Sequence, residues 1–62
     1  MNYKGYKIVR AGYIFNENKN GFIYKMDNGV DFIDTIIKDK NPRNKIMKII
    51  NDRIKYLDKQ RP

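Results

Sequence analysis

The chain has no cysteine, histidine or tryptophan, and serine is also missing from its 62 residues. Without cysteine there is no disulfide framework. With histidine gone as well, the common zinc and transition-metal donor sets are excluded. Nucleophilic triads and histidine general-base schemes are equally out of reach. The longest purely apolar runs are two or three residues, so no segment can span a bilayer. The N-terminal stretch is polar and rich in Tyr and Lys, so no signal peptide is expected and a cytoplasmic setting is the default. No cofactor and no enzymatic activity are expected.

Sixty-two residues make one small domain, which buries only about 60% of the surface that its unfolded chain exposes. The net charge is +7 and unevenly placed. From Pro42 onward, Arg43, Lys45, Lys48, Arg53, Lys55, Lys59 and Arg61 face only Asp52 and Asp58, which leaves +5 there and +2 before it. Such asymmetry points to polyanions: nucleic acid, an acidic protein surface or anionic lipid. Codon usage in an AT-rich genome would also supply many Lys, Asn and Ile.

The last third reads as an amphipathic helix over residues 42–60, with Asn41 as N-cap and Pro42 in the first helical position. At 100° per residue, Ile46, Ile50, Ile54 and Leu57 share a sector flanked by Met47 and Ile49. Lys45, Lys48, Lys55 and Lys59 line the opposite sector, interrupted by Asp52, along about 28 Å of helix. Arg43 and Lys45 occupy the first turn, where the macrodipole favours acids, so they could meet an external anion. Arg53 and Tyr56 lie near the apolar sector, so Arg53 could cross the edge of the core and fork to a carboxylate. Basic amphipathic helices that lie on membranes usually carry Trp or Phe, which disfavours a membrane role.

Three strands are expected ahead of that helix. Residues 3–10 interleave aromatic and β-branched side chains with cations, and Ala11-Gly12 offers a tight turn. Residues 12–16 would form the second strand and residues 16–21 a polar loop ending in Asn-Gly. Phe22, Tyr24 and Met26 alternate with Ile23 and Lys25 in the third. Residues 31–38 then read as a short helix because Val30, Ile33, Ile36 and Ile37 recur at helical spacing. A fourth strand over residues 30–33 is the competing reading. The expected fold is α+β, a three-stranded antiparallel meander (sheet 3–26) followed by the short and long helices, in the order β-β-β-α-α.

Asp27, Asp31 and Asp34 form the only acidic cluster. They could hold a divalent cation, but turn and capping chemistry explains them more simply. For nucleic acid, Lys4, Lys7, Arg10 and Lys25 interleave with Tyr6 and Tyr13, offering cations for phosphates and rings for bases. With Arg43, Lys45, Lys48, Lys55 and Lys59 they make up the candidate binding set. The long helix has more apolar residues than a tiny sheet needs, so a homodimer through it is a further possibility.

Tyr3-Lys4-Gly5-Tyr6-Lys7-Ile8, the pair Tyr13/Phe15 and Asp31-Phe32-Ile33-Asp34 resemble a pattern in very small phage and mobile-element proteins of AT-rich bacteria. The resemblance covers a little over half the chain. It implies three strands on a helix and a phage setting inside a bacterial host. The architecture is also similar to the arm-binding domains of tyrosine integrases, which dock a sheet in the major groove, and to small phage inhibitors of bacterial defence systems. The expectation is therefore a binding protein whose partner is nucleic acid or, alternatively, a host protein such as a defence nuclease. A structural homodimer is the third option.

Overall fold

The structure is a computed structural model that describes residues 1–60. It has four antiparallel strands in one sheet, ordered β1-β2-β3-β4, and a single helix. The strands are β1 (Asn2–Tyr3), β2 (Tyr6–Phe15), β3 (Asn20–Asp27) and β4 (Phe32–Ile37), and α1 runs over Arg43–Gln60. The β-β-β-α-α order is therefore overturned. The segment expected as a short helix is β4, paired in register with β3 from Phe22↔Ile37 to Asp27↔Phe32.

The reason lies in residue type. Ile33, Thr35, Ile36 and Ile37 are β-branched, which costs side-chain freedom in a helix and suits a pleated strand. Ile33, Thr35 and Ile37 are more buried than Phe32, Asp34 and Ile36, an alternation of period two. Val30, which carried the helical spacing, is 98% exposed and plays no part in the core.

Two other boundaries move. The chain turns at Lys4-Gly5, where both residues have positive φ (48° and 86°), the pattern of a type I′ turn between Tyr3 and Tyr6. The expected turn at Ala11-Gly12 is instead a bulge inside β2, where the pairing with β3 shifts between Arg10 and Gly12. Both longer hairpin connections obey one rule. Asn16 and Asn28 each open a four-residue loop, and each side-chain oxygen accepts from the backbone N–H groups two and three residues on.

The helix covers one face of the sheet. Tyr6, Ile8, Tyr24, Met26 and Ile37 from the strands meet Ile46 and Ile50 to form the core, with Phe22, Ile33, Ile49 and Ile54 packed against it. Ile54 and Leu57 are only half-buried. Its first hydrogen bond runs from the Ile46 N–H to the Pro42 carbonyl, so Pro42, rather than Asn41, holds the capping position. The opposite face of the sheet is open, with Val9 and Phe32 about half exposed.

Gly21 is buried in β3 against the end of β4. A Cβ there would lie 2.9 Å from both the Ile36 Cγ2 and the Ile37 carbonyl oxygen, and φ is 149°. Gly21→Ala is expected to destabilise the fold by about 1–3 kcal/mol, because a backbone oxygen cannot move aside without shifting β4. Urea denaturation of the variant beside the parent chain measures this.

Candidate nucleic-acid interface

The most polar contact inside the molecule joins three elements. The Tyr6 hydroxyl donates to Asp31 Oδ2 at 2.6 Å, while Arg53 donates through Nε to Oδ2 (2.9 Å) and through Nη2 to Oδ1 (2.8 Å). Arg53 thus forks to a carboxylate across the edge of the core, in bidentate geometry. Its guanidinium also lies 5.4 Å from the Tyr56 ring centroid. The hydrogen bonds from Arg53 and then Tyr6 hold the Asp31 carboxyl down, from 3.8 to about 2. Burial, followed by the bond to Asp31, pushes the Tyr6 phenol up from 10.0 to about 12. The Arg53 guanidinium is raised in turn, chiefly by its bond to Asp31.

This network removes Tyr6 from the candidate set, since it is 1% exposed and its hydroxyl is committed. It also sets the rotation of the helix. With Arg53 turned toward Asp31 and Ile46 and Ile50 inward, Lys48, Lys55 and Lys59 fall on the solvent side, where all three are exposed. Lys45 is exposed too, but its Nζ lies 2.9 Å from Asp39, so the anion it meets belongs to the chain itself.

Lys4 joins the helix row from the other end of the sequence. Its Nζ donates to Asn51 Oδ1 at 2.7 Å, and the Tyr3 hydroxyl donates to the same oxygen at 3.1 Å. Asn51 lies one turn from both Lys48 and Lys55 on the helix surface, so Lys4 stands beside them. At the start of the helix, Arg10 and Arg43 line one cleft of about 350 Å³ with Met1, Ile8, Tyr24 and Ile46. Arg10 also stacks 4.9 Å from the Phe22 ring centroid, and Tyr13 meets that ring edge-on at 5.0 Å. Tyr13 and Phe15 beyond them are 55% and 77% exposed.

Lys7 and Lys25 go elsewhere. They occupy the open face, directly opposite Asp27 and Asp34 in the strand register, so acids balance them. The aspartate cluster also disperses. Asp27 accepts from the Gly29 N–H, Asp31 serves Tyr6 and Arg53, and Asp34 faces Lys25. Among the described residues, no group of three His, Cys, Asp or Glu could hold a metal ion, and no helix is long and apolar enough to cross a membrane.

Asn51 and Asp31 are the positioning residues that sequence reasoning missed. Asn51 sits mid-helix, where a poor helix former signals a side chain with another task.

Asp31 contributes stability that is fully present above about pH 3.8 and lost as pH falls through about 2. Tyr6 contributes stability present below about pH 10 and lost as pH rises through about 12. Asp31→Ala is expected to cost about 2 kcal/mol near neutrality, because it strands the buried Tyr6 hydroxyl, and to flatten the acid limb. Thermal unfolding across a pH series reads both effects. No protein-family model, curated protein or solved structure matches the chain.

Proposed function

We propose that this chain is a non-catalytic binding protein that contacts nucleic acid through the phosphate backbone. The carrying observation is the spatial sorting of its cations. Lys4, Lys48, Lys55 and Lys59 form a ridge along the exposed side of the helix, and Arg10 and Arg43 line a separate cleft between the sheet and the helix start. Asp52 interrupts this ridge and Asp58 borders it, whereas Asp27, Asp31, Asp34 and Asp39 are engaged or placed elsewhere. Backbone contact of this kind is electrostatic and largely blind to sequence. The exposed Tyr13, which shares the Phe22 ring with Arg10, and Phe15 further along β2 offer rings on which unpaired bases can stack. The phage or mobile-element setting rests on the resemblance alone and adds no residue to this reading.

Lys4 supports it independently. A non-glycine residue at φ 48° costs about 1 kcal/mol, and asparagine is the residue that a type I′ turn would choose there. A lysine held in that strained position, with its ammonium clamped on Asn51, costs stability and gains a cation on the ridge.

Affinity for a generic duplex is expected to fall steeply with salt. Replacing Lys48, Lys55 and Lys59 by Gln should reduce the log–log slope by about 0.9 per lysine that contacts a phosphate. Fluorescence anisotropy of a labelled oligonucleotide over a salt series checks this, and no binding at low salt would refute nucleic-acid contact. Lys4→Asn is expected to weaken binding while leaving stability equal or up to about 0.5 kcal/mol higher.

A further inference from the structure

We propose that β4 is a self-pairing edge, along which a second copy of this chain docks antiparallel to give one continuous eight-stranded sheet. The sheet ends on β4, whose six residues are bonded to β3 on one side only. Natural edges are usually blunted by proline, bulges, inward charges or brevity. The opposite edge has such protection, because β1 is two residues long and β2 carries the bulge and Arg10 where β1 no longer covers it. β4 has no proline and no bulge, its pairing with β3 is unbroken from Phe32 to Ile37, and Ile36 is 38% exposed along it. An unguarded strand of this kind is a pairing template.

The charges select both the occupant and the register. In an antiparallel pair related by a two-fold axis, directly opposite residues must lie on the same face of the sheet. Centring the axis on Asp34 would set that carboxylate against its own copy, and centring it on Thr35 would set it against Ile36 with no cation opposite. Centring it on Ile36 sets isoleucine against isoleucine and pairs Thr35 with Ile37, and with β4 prolonged by one residue it places Asp34 opposite Lys38 of the second copy, twice over. That register is self-complementary in charge and shape, as an isologous interface requires. It also separates the like charges of a +7 chain. Lys4, in the turn between β1 and β2, lies about 14 Å across the sheet from β4 at roughly 4.8 Å per strand. The axis therefore keeps the two Lys4 turns at opposite ends of the combined sheet, with both helices on the same side of it.

Sedimentation equilibrium of the full chain over a concentration series tests the proposal without any nucleic acid, so it stands or falls separately from the binding role. The expected mass rises from 7.5 kDa to twice that value. Ile36→Lys, at an exposed position, should weaken the dimer at least about tenfold, and Lys38→Asp alone should do likewise. Combining Asp34→Lys with Lys38→Asp should restore association, since the pairing is then reversed rather than broken. Circular dichroism confirms that each variant keeps the fold. A chain that stays at 7.5 kDa throughout, or a dimer indifferent to Ile36→Lys, would overturn the proposal. Failure of the double swap to restore association would overturn the register.

Discussion

Everything on the helix side of this molecule depends on one shared carboxylate. Asp31 sits in the connection between β3 and β4 and accepts from Tyr6 at the start of β2 and from Arg53 on the helix. Hydrophobic burial of Ile46 and Ile50 presses the helix onto the sheet, but burial is non-directional and tolerates sliding or rotation. Two donors converging on two oxygens do not. The network pins the helix along its axis and about it, and so decides which side chains look outward.

From that constraint the charge map follows. The helix carries lysines on the side away from Arg53 and the isoleucines, so fixing the latter exposes the former. Asn51 then holds Lys4 against the same surface. Several acids have local duties, since Asp39 pairs with Lys45, Asp27 shapes a turn and Asp34 faces Lys25 across the open sheet, while Asp52 stays among the helix lysines. Part of the net charge that composition reports only as a total is thereby gathered on the exposed side of the helix. The small core leaves little stability in reserve, which makes the positive φ of Lys4 and the tight passage at Gly21 consequential.

Several features were legible in the residues themselves. The C-terminal helix was, because its isoleucines recur at helical spacing over five turns and dominate any local alternative. The alternation of Phe22, Tyr24 and Met26 was, because a strand with one covered face must show it. The short stretch after Gly29 was not. Val30, Ile33, Ile36 and Ile37 fit a helix as well as Ile33, Thr35 and Ile37 fit a strand, and six residues are too few for periodicity to arbitrate. The free side of β3 settles the matter by offering hydrogen bonds that an isolated helix would forgo. Ala11-Gly12 misled for a related reason: a glycine serves a bulge as well as a turn, and only the partner strand distinguishes the two.

The sequence by itself determined the amphipathic helix, the excess of cations and the absence of thiol or imidazole chemistry, because these depend on residue identity and short-range spacing. Tertiary structure alone decided which cations stand together. Lys4 meets the helix only because Asn51, 47 residues away in the chain, lies 2.7 Å away in space, and Tyr6 is taken from the surface by the core and by its bond to Asp31. Long-range pairings of this kind carry no periodic signature, since they are specified by where the chain returns and not by what it repeats.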